Sequence, residues 1–413
     1  PAGSRRSLDR ARLLLARLGS PVPPPVLSVV GSKGKGTAAI HASAYLAAAG
    51  LRVVTVTSPA LRSNRERIRL DGAAVADLGP LAERLGRHVP VPEPLPGYLS
   101  PAGLFTIAGV LYACEVAADA LVLEAGMGGG SDEISLFPPV VTAITEIFGE
   151  HLGVLGDTPV EIAREKAAVT ARSTRAVVSL PQRPEIADAI ARTVRERAGV
   201  AVELLSSPPM VYAEASPWPY GRRNAALGRA AAARLLDVLG RARPAAEALR
   251  PVLDSVTLPG RLSRHALPSG TELLIDSAIN RDGIATALAA ARTVWPRVDH
   301  VLLCLPDHKD LTGAIAELDG LPVTFVRLGL SHLRFERPLP GHWRSISEEE
   351  LSVPAIRSLG EHVLALGTVY FTGRLLDLLD VPTERLFTVP RAVPSGSVAE
   401  LPHPEVPRGS NQV

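Results

Sequence analysis

A short apolar run, Pro25–Val30 (PVLSVV), stops at Gly31-Ser32-Lys33-Gly34-Lys35-Gly36-Thr37, and Ala, Ile and Leu follow at helical spacing over Thr37–Ala49. Strand, glycine loop and helix in that order constrain the fold more than any other feature of the chain. Glycines let backbone N–H groups turn inward on phosphate oxygens, and the helix N-terminus adds positive potential. Lys35 stands where it would reach terminal phosphates, and the Thr37 hydroxyl where it would meet Mg²⁺. The segment reads as an ATP-binding loop. Its spacing departs from G-x-x-x-x-G-K-[ST], because Gly36 separates Lys35 from Thr37. A glycine-rich turn with solvated lysines is the plainer alternative, and the strand and helix on either side count against it.

Further short β-branched or aliphatic runs occur at Val53–Thr57, Ala120–Glu124, Val140–Ile144 and Ala176–Leu180, with helical patterns over Pro159–Ala171 and Asn224–Leu239. Strands separated by helices imply a mainly parallel sheet covered on both faces. The pattern is punctuated at Leu258-Pro259-Gly260, and a second series begins at Glu272–Asp276, continuing through Val301–Leu305, Val323–Val326 and His362–Leu366. The expected fold class is α/β. A P-loop mononucleotide-binding parallel-sheet domain would span 1–257 and a smaller Rossmann-like α/β domain 258–380. The Pro-rich tail, 381–413, would be flexible and add little to a core.

Composition narrows the partners. Forty-four Lys and Arg stand against 42 Asp and Glu, a net charge of +2, so no global field would hold a nucleic acid or an anionic membrane. Hydrophobic residues make up 46% and charged residues 21%, enough apolar surface to oppose wholesale disorder. Cys114 and Cys304 lie far apart in apolar runs, the pattern of reduced core thiols rather than a disulfide scaffold. No apolar run reaches the roughly 18–20 residues of a membrane span, and PAGSRRSLDR lacks the apolar stretch of a signal peptide. The expectation is a cytoplasmic protein, monomeric or a small homo-oligomer, acting on small molecules.

Several blocks recur in one order: GSKGKGT, then Thr57-Ser58-Pro59 with Glu66-Arg67-Ile68-Arg69, and Glu124-Ala125-Gly126-Met127-Gly128-Gly129. Glu150-His151, Leu155-Gly156-Asp157-Thr158 and Ile162-Ala163-Arg164-Glu165-Lys166-Ala167 follow, and beyond them Asn224-Ala225, Pro259-Gly260-Arg261-Leu262, Asp276 with Asn280, and Gly367-Thr368-Val369-Tyr370. The series, spanning roughly residues 8 to 380, resembles the folylpolyglutamate synthase/dihydrofolate synthase branch of the Mur ligases, whose phosphate loop reads GTNGKGS. Such enzymes join a carboxylic acid to an amine with ATP, through an acyl phosphate and a tetrahedral intermediate.

The resemblance implies roles. Thr37, Ser58 and Glu124 would hold the Mg²⁺ that bridges the ATP phosphates, with His151 at a second metal position. Oxygen ligands suit Mg²⁺, and Glu124 ends an apolar strand at the carboxyl edge where open α/β sheets bind ligands. Lys166 falls where the family's lysine is carbamylated and helps hold the second metal. Asn224 would face adenine, Arg261 would reach the nucleotide phosphates from the hinge, and Asp276 would bind ribose. Lys35, His151 and Lys166 form the expected catalytic set. Taken alone, His151 reads as an ordinary histidine, Lys166 as one more charge on a helix face, and Asn224 as a helix cap.

Departures cluster elsewhere. The family's TSPHLVRFNERI is here TSPALRSNRERI, placing Ala60 for a histidine and Ser63, Asn64 and Arg65 for Arg-Phe-Asn. GLGGRLDATN is here GMGGGSDEIS, so Gly130 and Ser131 stand for Arg-Leu. DGAHNP is here DSAINR, so Ile279 stands for a histidine and Arg281 for a proline. An arginine can pair bidentately with a carboxylate and glycine cannot. The expectation is an ATP-dependent amide ligase whose substrates differ from folate. The alternatives are glutamate addition to folate, and a non-catalytic nucleotide-binding paralogue.

Overall fold

The computed structural model describes residues 7–89, 95–205, 219–268 and 270–390. The first sheet contains β1 (Val26–Val30), β2 (Val53–Val56), β3 (Ile68–Leu70), β4 (Ala73–Ala74), β5 (Ala120–Glu124), β6 (Val141–Ile144), β7 (Ala176–Ser179) and β8 (Val202–Leu204), in the order β4-β3-β2-β5-β1-β6-β7-β8. Six strands run parallel, and β3 and β4 form an antiparallel edge beside β2. Every residue of β1, β2, β5 and β6 is buried, which is why these strands read as continuous apolar runs rather than alternating ones.

Two apolar layers flank that sheet. On one side lie α1 (Leu8–Arg17), α3 (Gly79–Gly86), α4 (Pro101–Glu115), α5 (Pro159–Ala167) and α6 (Pro184–Ala198), through Leu14, Leu81, Ile107, Ile162 and Ile186. On the other lie α2 (Lys35–Ala48), α7 (Pro219–Leu239) and α8 (Ala246–Asp254), through Ile40, Leu227 and Leu249. A β-carbon at Gly228 would come within 2.1 Å of the Ala38 carbonyl oxygen, so α2 and α7 meet backbone to backbone. That contact fixes the helix that follows the phosphate loop.

The second sheet has the order β13-β12-β11-β14-β10-β9, with β9 (Arg261–Ala266), β10 (Glu272–Asp276), β11 (His300–Cys304), β12 (Val323–Arg327), β13 (Arg344–Ser347) and β14 (His362–Gly367). It is parallel except for β9. Helices α9 (Arg281–Val294), α10 (Leu311–Glu317), α11 (Val353–Arg357) and α12 (Val369–Leu378) complete the domain. The sequence pattern missed β9, whose exposed, charged residues carry no apolar alternation. It also ran α5 four residues too far and started α7 five residues too late.

Residues 381–389 correct the expectation of a tail that adds little to a core. Leu386 and Phe387 are buried in the first domain's core. The Arg69 guanidinium donates to the carbonyls of Thr383 at 2.9 Å and Glu384 at 3.0 Å, and the Ala74 N–H donates to Glu384 O at 2.7 Å. After crossing the second domain the chain therefore returns to the first. The remainder of the predicted tail, 391–413, lies outside the described residues.

Beneath the phosphate loop, His41 is fully buried, with Nδ1 2.9 Å from Thr37 O. Burial pushes its pKa down to about 4 from 6.5, helped by the Arg229 charge and opposed by the Thr37 hydrogen bond. Its neutral form is therefore native, and the unfolded chain binds the extra proton. Stability is fully present above pH 6.5 and falls as the pH drops through the window towards 4, by about 2 kcal/mol at pH 5. Urea unfolding at pH 7.5 and pH 5 should show a drop that shrinks by that amount in His41→Gln; an unchanged drop would remove His41 as its source.

Candidate active site

The carboxyl ends of both sheets face one cavity of about 510 Å³, lined by the loops that follow β1, β2, β5 and β6 and those that follow β10, β11, β12 and β14. Parallel α/β sheets bind ligands at this edge. Here two such edges oppose each other.

At the first-domain wall, Gly34 adopts φ 88° as it caps α2. A β-carbon there would lie 2.4 Å from the Asn224 amide, so only glycine fits. Lys35 Nζ donates to the carbonyls of Gly31 at 3.1 Å and Ser32 at 3.3 Å. These are acceptors that an arriving phosphate would replace. Ser32 Oγ is 3.2 Å from both the N–H and the carbonyl of Phe148, which ties the loop to the segment after β6.

Glu124 closes the floor. It is 6% exposed, Oε2 accepts the Ser58 N–H at 3.0 Å, and a β-carbon at Gly36 would lie 3.5 Å from both carboxylate oxygens. Burial pushes its pKa up, opposed first by Lys35. Ser58 Oγ accepts from Arg67 at 3.0 Å, which leaves its second lone pair for another cation. Thr37 lines the same space. Two hydroxyls and one buried carboxylate fit Mg²⁺, which takes few protein oxygens and completes its shell with phosphates and water. Among the described residues no group of three or more His, Cys, Asp and Glu forms an all-protein cage.

Lys166 lies behind the loop and is 1% exposed. Nζ donates to Glu150 Oε1 at 2.7 Å and to Gly31 O at 2.8 Å. Burial lowers its pKa to about 8, with Lys35 adding to the effect and Glu150 opposing it. As an ammonium it repels a cation, so the unmodified side chain does not fit the expected ligand role. His151, at φ 50°, lines the cavity. Desolvation lowers its pKa, Glu150 raises it, and Lys166, Lys35 and Lys309 lower it further.

Across the cavity Asp276, 7% exposed, accepts the Leu262 N–H at 3.0 Å. Burial raises its pKa against the charges of Lys33 and Arg261. Arg261 and Lys33 line the cavity between the domains. Asn224 does not: it is fully buried against Gly34, beneath the loop. The structure places Asn224 against the phosphate loop rather than among the residues that line the cavity.

Sequence reasoning passed over His308, Lys309 and His332, and gave no role to Glu150 and Tyr370 within their motif blocks; all five line the cavity. The His332 and Tyr370 rings meet edge to face at 5.1 Å. Glu165, likewise named in its block without a role, accepts at Oε1 the Gly129 N–H at 3.2 Å, the Ser131 N–H at 2.7 Å and the Ser131 hydroxyl at 2.6 Å. These bonds draw residues 129–131 onto α5. A β-carbon at Gly130 would lie 2.7 Å from Ala168 Cβ, so this loop conformation has no room for a larger side chain there.

Fold and cavity define a two-domain α/β protein of the Mur-ligase type, with a phosphate loop in the first domain facing an acidic residue in the second. No protein-family model matches the chain. A Bacillus subtilis dihydrofolate synthase/folylpolyglutamate synthase is 28% identical over 309 residues, 68% of this chain and 71% of that protein. A Haloferax volcanii protein described as a probable bifunctional folylpolyglutamate synthase/dihydropteroate synthase is 31% identical over 350 residues, 75% of this chain and 40% of its own length. Mycobacterium tuberculosis folylpolyglutamate synthase complexed with ADP superposes with a TM-score of 0.78 at 24% identity, covering 92% of this chain and 96% of that one. In sequence the chain is similar to folylpolyglutamate and dihydrofolate synthases, and in fold to solved folylpolyglutamate synthases. No helix among the described residues is long and apolar enough to cross a membrane.

Proposed function

We propose that the protein is an ATP-dependent carboxylate–amine ligase that forms ADP and phosphate. The observation that carries this reading is the meeting, in one interdomain cavity, of the phosphate loop, the Glu124, Ser58 and Thr37 oxygens, and the Asp276 and Arg261 pair. Gly31 to Thr37 would cradle the phosphates, Asp276 would accept from ribose hydroxyls, and Arg261 would approach the phosphates from the hinge. Thr37, Ser58 and Glu124 would hold Mg²⁺, whose charge offsets that developing on the transferred phosphoryl group. Lys35 would move from its two carbonyls to the γ-phosphate.

A carboxylate oxygen of the acid then bonds to the γ-phosphorus as ADP leaves. The amine attacks the acyl carbon, loses a proton and expels phosphate. Closure of the two domains excludes the water that would hydrolyse the acyl phosphate. His151, beside Glu150 in the cavity wall, would stand at the second metal position. Carbamylation of Lys166 Nζ would replace the ammonium with a carboxylate there, and the lowered pKa, which frees the amine near pH 8, supports it.

Ile279 in the cavity wall and the closed loop at Gly130 favour substrates altered from folate. The names of the relatives favour the second reading, glutamate addition to a folate. The acyl phosphate route is tested by labelling the acid's carboxylate with heavy oxygen. The released phosphate should carry one labelled atom, and unlabelled phosphate would overturn the route.

A further inference from the structure

The loop that follows β2 belongs to the first domain but is anchored on the second. It starts at Ser58 and ends at Arg67, which donates to the Ser58 hydroxyl at 3.0 Å. Between them the buried Glu66 carboxylate accepts the N–H groups of Leu61 at 2.9 Å, Arg62 at 3.2 Å and Ser63 at 3.1 Å, so residues 61–66 close into one turn. The Thr383 hydroxyl donates to the same carboxylate at 2.7 Å. Leu61 packs against the second domain's core, and a β-carbon at Gly373 in α12 would lie 2.1 Å from the Leu61 carbonyl oxygen. Arg62 completes the contact. Its Nε donates to Asp377 in the last turn of α12, and its Nη1 donates to the Val381 carbonyl at 2.6 Å. In the block TSPHLVRFNERI the place of Arg62 is held by valine, which could form neither bond. The opposite end of α12 starts at the cavity, where Thr368, Val369 and Tyr370 line the wall.

We propose that Arg62 is a positioning residue that fixes the loop carrying Ser58 to α12, so that apposition of the two domains sets the Ser58 hydroxyl where Mg²⁺ would bind. The consequence rests on the ligase reading, which makes Ser58 a ligand of Mg²⁺ and domain closure a step of the reaction. The connection runs through neighbours in contact: α12 grips the Arg62 side chain, Glu66 grips the Arg62 backbone, and Arg67, next in the chain, grips the Ser58 oxygen. An ion pair with an exposed partner such as Asp377 is worth little by itself. Here the Val381 carbonyl and the packing of Leu61 act with it. A loop released from α12 loses its bearing on the second domain, and part of the metal's binding energy then goes into ordering Ser58.

The test uses the whole chain with Arg62→Met, which keeps the aliphatic stem, with Arg62→Lys and Asp377→Asn, and with Arg62→Met and Asp377→Asn combined. In nucleotide-free protein, hydrogen exchange over residues 58–66 should quicken in Arg62→Met, and less in Asp377→Asn, where the Val381 bond remains. The combined variant should match Arg62→Met, because Asp377 acts only through Arg62. Arg62→Lys, which keeps the charge, should stay nearer the wild type. By calorimetry Arg62→Met should lose about fivefold in ADP affinity with Mg²⁺ present, the low end of the usual range for coupling between sites, and much less in a chelator. Wild-type exchange over residues 58–66 in Arg62→Met would overturn the tie. No loss with Mg²⁺, or equal losses with and without it, would overturn its action through Ser58. A wild type that binds no ADP, or whose ADP affinity Mg²⁺ does not raise, would sink the ligase reading instead, while exchange would still decide whether the tie exists.

Discussion

Replacing Lys35 with alanine is expected to lower ATP turnover by about a hundred- to a thousandfold, the loss typical when one preorganised donor to developing charge is removed. The reason lies in what Lys35 touches. Its ammonium is held by two carbonyls of its own loop and is the foremost charge favouring the ionised form of the buried Glu124. Both contacts belong to an anion-binding arrangement and neither fills the core. Thermal unfolding should shift little, because the carbonyls it leaves line an open cavity where water can replace it. Steady-state kinetics alongside a melting curve separates the two effects. Activity near wild type would overturn the assignment of the phosphate site.

Lys166→Ala should impair turnover as severely, but its structural cost is larger. Nζ is almost fully buried between Glu150 and the Gly31 carbonyl, so truncation removes the ion pair with Glu150 and opens a cavity behind the loop. Breaking a buried pair by removing one partner typically costs about 3–5 kcal/mol, and the 21% exposure of Glu150 places this case at or below the lower end. Lys166→Met, similar in length, keeps the packing and isolates the chemistry. If the lysine works as a carbamate, short carboxylic acids added to Lys166→Ala should restore part of the activity. Restoration of wild-type enzyme stripped of carbon dioxide should rise with pH through about 8, as the neutral amine fraction grows. Full activity of Lys166→Ala without added acid would contradict the carbamate.

What the sequence made legible was local. Gly31 to Thr37 and Glu124 stand at strand ends, and a strand, a glycine loop and a helix can be recognised without knowing what faces them. The missed groups need two elements to be brought together. His308, Lys309 and His332 follow β11 and β12, and nothing in LPDHKDL or LSHLRF shows that these loops face the first domain. Glu165 reads as a helix charge until residues 129–131 are seen to fold onto it. Asn224 was identified by its motif but not placed, because its position depends on the close packing of α7 against α2. The segment around Phe387 failed for a related reason. It has no periodicity of its own, and its backbone is held by Arg69 and the β4 edge, far away in sequence.

The most direct measurement of the central claim is phosphate release from Mg-ATP by the purified protein, against a panel of acids and amines that includes dihydropteroate, folates and L-glutamate, with mass spectrometry of the products. The account predicts phosphate release that requires both an acid and an amine, matched by an amide product; a pterin acid joined to glutamate would select the folate reading, and another pair the altered one. Phosphate release that no acid or amine stimulates, or nucleotide binding without any turnover across the panel, would contradict the ligase account and leave a nucleotide-binding protein that does not join its ligands.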